Sequence, residues 1–333
     1  MKEISSIDAS ITQETPLIDV SIIVVNWNTR DLLRQCLRSL YVQIPSTSFE
    51  IIVVDNGSTD GSVEMIQLEF PQAKLLVNPD NRGFAAANNQ GMAIAQGRYF
   101  LLLNSDTIVL DRAIEKTAAY ADLHPDTAVT GCRVLNPDRS LQNTCFMFPS
   151  ILNWFLFSTY LYRLFPRSHF FGRERMTWWA RDNAREVDVV TGCYMLVRKE
   201  AIEEVGPMDE RFFMYAEETD WCYRFRANGW KNRYTPDAEI IHFGGASAVK
   251  LGARRAQLAN ASFVQYMFKH WSRPRAIIGV YMIALFYVSR LSVLVPKQLL
   301  KHHLDNQKLI ENHWAGLKDI LSYQPSFRTK AQL

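Results

Sequence analysis

Three short polar clusters follow apolar runs in the first third of this chain, and each carries groups able to hold a nucleotide or a metal. Val25 leads into Asn26-Trp27-Asn28, Val54 into Asp55-Asn56-Gly57-Ser58, and Leu103 into Asn104-Ser105-Asp106. A carboxylate followed by a glycine turn, as at Asp55, can accept hydrogen bonds from a nucleobase or ribose. A carboxylate such as Asp106 can bind Mg2+ or Mn2+, cations that take few protein oxygens and complete their shell with water and diphosphate. Far along the chain, His242 stands between Ile240-Ile241 and Gly244-Gly245, where it can serve as a second metal ligand. In the stretch Asn81-Arg82-Gly83-Phe84-Ala85-Ala86-Ala87-Asn88-Asn89-Gln90-Gly91, Arg82 can pair with a phosphate. The small residues beside it let backbone approach a neighbour or ligand closely.

A second group of carboxylates, Glu217, Glu218 and Asp220, opens a helical pattern over 216–228. The three compete for the role of a general base, with Glu218 and Asp220 the catalytic candidates, and helical spacing distinguishes them. Glu218 shares a face with Trp221, Cys222 and Phe225, the face expected to turn inward. Asp220 lies one turn from Arg224, a pairing that holds its charge and lowers its pKa. A carboxylate beside an indole and away from a cation is expected to have a raised pKa, which suits proton abstraction, although the helix N-terminus opposes that rise. Glu217 best fits a plain first-turn acid.

The elements that must position these residues alternate. Strands are expected at Val20–Val25, Ile51–Val54, Leu75–Val77 and Tyr99–Leu103, with helices over 29–41, 60–70 and 85–96 between them. Apolar β-branched runs spaced by helices imply a mostly parallel sheet flanked by helices, an α/β architecture. Ligands bind beyond the carboxyl ends of such strands, so the three polar clusters are expected to converge on one crevice. Asn, Asp, Ser and Gly also serve as turn and N-cap residues, but three such clusters in succession favour a site. Later strands are expected over 187–197, through Tyr234 and at 240–241, and helices over 199–205 and 258–271. Ser150–Phe165, apolar and aromatic, reads as a core helix or as a segment lying in a membrane interface.

The formal net charge of +3 gives no indication of nucleic-acid binding. Five scattered cysteines without a C-x-x-C pair suit a reducing compartment and offer no zinc site. Neither G-x-G-x-x-G nor a G-x-x-x-x-G-K-[ST] phosphate loop occurs, so dinucleotide and ATP sites are unsupported. Residues 1–18 read as a mobile tail, 19–272 as the catalytic domain and 273–333 as a membrane-associating helical segment. Within the last, Ala276–Val295 is long enough to span a bilayer, with Arg273, Arg275, Lys297 and Lys301 flanking it. Arg290 sits inside it, and a mid-membrane Arg costs about 2.5–3.5 kcal/mol on insertion scales. An interfacial or partly inserted helix on an anionic inner leaflet is therefore preferred to a full span; a helix docked on the main domain, or on a second subunit, is the alternative.

Six segments in order, V-V-D-N-G-S-T-D-G-S, N-R-G-F-A-A-A-N-N-Q-G, L-L-L-N-S-D, T-G-C-Y-M-L-V-R, F-F-M-Y-A-E-E-T-D-W and I-H-F-G-G-A-S, resemble inverting glycosyltransferase family 2, with the GT-A fold. They are most similar to its rhamnosyltransferase-like branch of bacterial cell-surface polysaccharide synthesis. The resemblance covers about residues 19–272. It implies a nucleoside-diphosphate sugar donor, with dTDP-rhamnose suggested, and a polyprenyl-diphosphate-linked or other saccharide acceptor. It implies Asp55 at the nucleobase and Arg82 near the nucleotide. Asn104 and Asp106 would be the outer residues of a D-x-D motif, with Asp106 and His242 on the metal and Glu218 as general base. Asn104 stands where the motif has Asp, and Glu218 where Asp is more usual. No Q-x-x-R-W motif is present, so transfer of one or a few sugars is expected, at the cytoplasmic face of the inner membrane. A non-catalytic sugar-nucleotide-binding subunit and a nucleotidyltransferase are the rival readings. The carboxylates at Asp106 and Glu218 count against the first, and the missing glycine- and lysine-rich phosphate loop against the second.

Overall fold

The computed structural model describes residues 18–43, 48–245, 254–300 and 304–322. The expected tail over 1–17, Ala246 and Ser247 of the sixth segment, and the flanking Lys301 lie outside the described residues.

The alternating N-terminal half forms as expected. Strands β1 (Val20–Asn26), β2 (Phe49–Asp55), β3 (Lys74–Val77) and β4 (Tyr99–Asn104) are parallel, in the order β3-β2-β1-β4. Between them run helices α1 (Arg30–Gln43), α2 (Ser62–Glu69) and α3 (Phe84–Ile94). Side chains alternate across the sheet. Ile22, Val24, Leu101 and Leu103 pack on one face with Leu33 and Leu37 of α1. Ile23, Ile52, Val54 and Leu102 pack on the other with Ala85 and Ala87 of α3. Burial on both faces is why these strands read as continuous apolar runs.

Past β4 the sheet becomes mixed. The chain continues through β5 (Thr107–Val109), helix α4 (Ala113–Asp122), β6 (Thr127–Leu135) and β7 (Cys145–Phe146). The expected single strand over 187–197 is three: β8 (Arg185–Val187), β9 (Val189–Val190) and β10 (Tyr194–Arg198). They go to different partners: β8 lies antiparallel to β11 (Lys231–His242), β9 pairs β7, and β10 sits antiparallel between β4 and β6. β11 also replaces the two short strands expected through Tyr234 and at 240–241. It runs parallel to β6, with a register shift between Thr235 and Glu239 where Pro236 falls.

Helices α5 (Ile151–Ser158), α6 (Leu161–Leu164), α7 (Lys199–Val205) and α8 (Glu217–Ala227) complete the body. They are followed by α9 (Arg254–His270), α10 (Arg273–Leu300) and α11 (Leu304–Leu321). α10 is long and apolar enough to cross a membrane by length and composition. One side of it joins a core with Val264 and Met267 of α9 and Leu317 and Ile320 of α11. Arg290 is buried there. It donates to the carbonyls of Ser158 at 2.6 Å and Phe157 at 3.1 Å, at the C-terminal end of α5. Its guanidinium stacks 3.3 Å from the Tyr160 ring centroid and 4.1 Å from that of Phe286. The arginine that would tax insertion is thus satisfied inside the protein. Ser158 and Ser289 reinforce the contact, Ser158 Oγ donating to the Met282 carbonyl at 2.9 Å. Arg290→Ala is expected to destabilise the fold by about 1–3 kcal/mol, since two helix-end carbonyls lose a charged donor and the packing on Tyr160 and Phe286 is lost; thermal unfolding checks this, and an unchanged melting temperature contradicts it.

Candidate active site

Because β1 pairs parallel with both neighbours, Asn26 lies opposite Asp55 and Val25 opposite Asn104. The three polar clusters therefore share one end of the sheet, beside a cavity of about 320 Å³. Asn26 and Asp55 are fully buried. Asn26 Nδ2 donates to Asp55 Oδ2 at 2.8 Å, and Asp55 Oδ1 accepts from the Ser58 amide at 2.8 Å. Thr29 Oγ1 donates to Asn26 Oδ1 at 2.7 Å and meets Ser105 Oγ at 2.8 Å. Asn28, in a left-handed conformation, accepts from the Thr59 amide at 2.7 Å. Asn104, Ser105 and Asp106 line the cavity, whereas Asn26, Asn28 and Asp55 tie the strand ends together behind them.

His242 reaches the same wall through the sheet. β5 runs antiparallel to β11 with Thr107 opposite His242, and the Phe243 amide donates to the Asp106 carbonyl at 2.9 Å. His242 Nε2 lies 3.2 Å from Asp106 Oδ1 and 3.3 Å from Asn104 Nδ2, while Nδ1 lies 2.6 Å from Gln142 Oε1. A carboxylate oxygen and an imidazole nitrogen face each other, a donor set that fits Mg2+ or Mn2+. No cluster of three or more His, Cys, Asp or Glu suited to a metal occurs among the described residues. Water and diphosphate oxygens would supply the remaining positions.

The carboxylates of α8 divide by environment. Tyr215 and Ala216 both have positive φ (71° and 62°), an uncommon backbone for side-chain-bearing residues. The turn they form sends Glu217 and Glu218 to the cavity wall. Glu218 is half-buried, and burial raises its pKa against the opposing pull of the helix-end amides. Trp221, Cys222 and Phe225 below it are fully buried. Glu217 differs from the plain first-turn acid expected. It is buried, its Oε2 has no hydrogen-bond partner, and burial together with the Glu218 charge pushes its pKa well above the carboxylate range. Asp220 points away toward Arg224, Lys269 and His270. It accepts from Arg224 Nε at 2.9 Å and lies 2.7 Å from His270 Nε2 and 2.6 Å from Lys269 Nζ. Burial pushes its pKa up, but His270, Lys269 and Arg224 outweigh that and leave it lowered.

Arg82 is half-exposed, 3.6 Å from Asp80, and does not line the cavity. Gly83 does, and its backbone is pressed against a protein neighbour. With φ at 86°, an added Cβ would lie 2.4 Å from the Phe213 carbonyl oxygen, which also accepts from the Phe84 amide. The wall further includes Gln142, Tyr215 and Arg255, none singled out from the sequence. A lone Gln in a turn or an Arg at a helix start carries no spacing signature; the one available cue was the proximity of Tyr215 to the carboxylate triplet.

A model of glycosyl transferase family 2 matches residues 21–206. The chain belongs to glycosyl transferase family 2. It is 28% identical over 206 residues to an N-acetylglucosaminyl-diphospho-decaprenol L-rhamnosyltransferase of Mycobacterium tuberculosis, a match covering 58% of this chain and 66% of that protein. The chain thus spans just under two thirds of that relative's length. A low-salt glycan biosynthesis hexosyltransferase, Agl10 of Haloferax volcanii, is 28% identical over 221 residues, 64% of each chain. Among solved structures, the mannosyltransferase PcManGT of Pyrobaculum calidifontis in complex with GDP-Man and Mn2+ superposes with a TM-score of 0.56. That match covers 91% of this chain and 86% of the other at 15% identity. The likeness shows the fold, the GT-A-like α/β sheet of this family 2 chain.

The Asp220 cluster gives a stability prediction for this family 2 fold. A lowered folded-state pKa contributes stability above the ordinary Asp value of 3.8 that is lost as pH falls through the folded value. Asp220→Asn is expected to destabilise by about 1–3 kcal/mol at pH 7, since half-buried Arg224 and Lys269 lose a charged acceptor, although Lys269 keeps its pairing with Asp209. The gap should narrow below about pH 4. Denaturant titrations of both proteins across that range check this, and a gap that widens on acidification contradicts it.

Proposed function

We propose that the chain is an inverting glycosyltransferase that moves a sugar from a nucleoside-diphosphate donor to a saccharide hydroxyl, with Mg2+ or Mn2+ as cofactor. The observation that carries the reading is the meeting of Asp106, His242 and Glu218 on one cavity. Asp106 and His242 would hold the cation, which, when bound, neutralises charge on the departing diphosphate. Asn104 brings an amide where a second carboxylate would add charge, so Asp106 supplies the anionic ligand. Asn26, Asn28 and Asp55 brace the strand ends; Asp55, fully buried and bonded to Asn26 and Ser58, holds the wall on which the nucleotide would rest rather than meeting the nucleobase itself. Glu218 accepts the proton of the acceptor hydroxyl, whose oxygen attacks the anomeric carbon from the face opposite the leaving group. A single displacement of this kind inverts the anomeric centre. Asp220, held by Arg224, Lys269 and His270, stays ionised and anchors α8.

The name of the mycobacterial relative supports rhamnose as the sugar and a polyprenyl-diphosphate-linked saccharide as the acceptor; dTDP-rhamnose is the donor proposed. The reaction would then belong to cell-surface polysaccharide synthesis. The catalytic unit is then residues 19–272. Residues 273–333 attach it, peripherally or monotopically, to the cytoplasmic face of the membrane. What supports attachment is the side of α10 that the protein leaves uncovered: Ile277, Ile278, Tyr281 and Val288, at helical spacing, are all exposed. Arg273 and Arg275 precede them, and basic flanks suit an anionic leaflet.

Two experiments test the reading. Glu218→Gln should lower turnover by about 10²–10⁴-fold with donor binding intact. Wild-type activity should rise with pH through the raised Glu218 pKa, because the base must be ionised, and the variant should lack that limb. A variant with near-normal turnover, or one inactive because it no longer binds donor, removes Glu218 as base. For attachment, Ile277→Glu with Tyr281→Glu should release the protein from anionic lipid vesicles in flotation, leaving its melting temperature unchanged. Continued co-flotation would place the contact elsewhere.

A further inference from the structure

Building on the metal reading above, we propose that Gln142 is a positioning residue, fixing His242 as the Nδ1–H tautomer so that Nε2 offers a lone pair beside Asp106. The direction of a hydrogen-bond chain carries the inference. It begins at Asp138, whose ionised carboxylate can only accept. Ser140 donates its hydroxyl proton to Asp138 Oδ1 at 2.6 Å, so the Ser140 oxygen is left to accept. Asn136 Nδ2 donates to it at 2.9 Å, which turns Asn136 Oδ1 toward Gln142. Gln142 Nε2 donates to that oxygen at 2.8 Å and to the His242 carbonyl at 3.3 Å. Only Oε1 of Gln142 then faces the imidazole, 2.6 Å from Nδ1. An acceptor there requires a proton on Nδ1, and in the neutral ring this leaves Nε2 bare.

The frame that holds this chain is local and closed. The Asn136 amide donates to the Ser140 carbonyl at 2.8 Å, and Leu135 bridges Leu141 across the turn. At the far end, Nε2 receives the Asn104 amide at 3.3 Å and faces Asp106 Oδ1 at 3.2 Å. Without the Gln142 acceptor, the other tautomer would place its proton on Nε2 and donate it to Asp106. That internal hydrogen bond would occupy both ligand atoms at once. Gln142 thereby decides whether Asp106 and His242 bind each other or a cation, as outer partners of ligating histidines commonly do.

The test uses the whole chain at about pH 8, above the ordinary imidazole pKa. Two variants are compared with wild type: Gln142→Leu, which removes the acceptor, and Gln142→Glu, which keeps one. The first readout is the ¹⁵N shift of the His242 ring nitrogens in metal-free protein, assigned among the seven histidines by its loss in His242→Ala. The second is calorimetric affinity for Mn2+ in the presence of a nucleoside diphosphate. Wild type should show the Nδ1–H tautomer. Gln142→Leu should shift the population toward Nε2–H and weaken Mn2+ binding by about 10–100-fold, while Gln142→Glu retains both properties. The proposal is overturned if Gln142→Leu changes neither readout, or if Gln142→Glu loses affinity as fully as Gln142→Leu does. If His242→Ala binds Mn2+ as well as wild type, the metal reading itself has failed and the proposal falls with it. If His242→Ala weakens binding and Gln142→Leu does not, only the role of Gln142 is refuted.

Discussion

Thr107 and His242 face each other across a three-residue antiparallel pairing of β5 with β11, and the chemistry available to the cavity depends on that register. Asp106 precedes β5 directly, so fixing Thr107 against His242 also fixes the carboxylate against the imidazole. A slip of one residue would turn the His242 side chain to the opposite face of the strand. The pairing is short, but it is clamped on both sides. The Phe243 amide bonds the Asp106 carbonyl, and the Leu110 amide bonds the Glu239 carbonyl at 3.2 Å. The register shift in β11 after Thr235 sets the phase of Glu239, Ile240 and Ile241 against β6, and with it that of His242 beyond them. A bulge there re-aims a side chain, a common use of bulges beside functional sites.

Three acidic residues within one helical turn acquire three different electrostatic states from their surroundings. Asp220 is charged because Arg224, Lys269 and His270 converge on it, and in that state it ties α8 to α9. Glu217 is buried without a cation, which favours its neutral form. Glu218 lies between, with the cavity on one side and a packed core of Trp221, Cys222 and Phe225 below. Its raised pKa comes from burial rather than from a specific partner. The division rests on geometry: the left-handed pair Tyr215-Ala216 rotates the helix start so that 217 and 218 face the cavity while 220 faces α9.

Much of this was legible in the sequence where one physical signal dominated. The parallel strands β1, β2 and β4 are buried on both faces, so their apolar runs stand out and the polar residues at their ends mark the crevice. β6 was not legible, because Thr127, Thr130, Gly131 and Arg133 dilute its pattern. Gly131 is demanded by packing: a Cβ there would lie 2.7 Å from Val190. β11 looked like two strands because Pro236 and Asp237 interrupt it at the bulge. Helical spacing separated Asp220 from Glu218 but could not reveal that Glu217 is buried, since burial there comes from elements far away in sequence. Arg82 followed a charge-matching argument that ignored its near neighbour Asp80. Gln142 was invisible, because its meaning depends on a chain of donors closed only by the folded turn.

The central claim is that Asp106 and His242 form one metal-binding site for a nucleoside diphosphate. Anomalous scattering at the manganese edge, from crystals grown with Mn2+ and a nucleoside diphosphate, tests it most directly. The account predicts a single protein-bound peak in contact with the Asp106 carboxylate and His242 Nε2, bridged to the diphosphate. Diphosphate density in the cavity with no manganese peak, or a peak held by other residues, would contradict it.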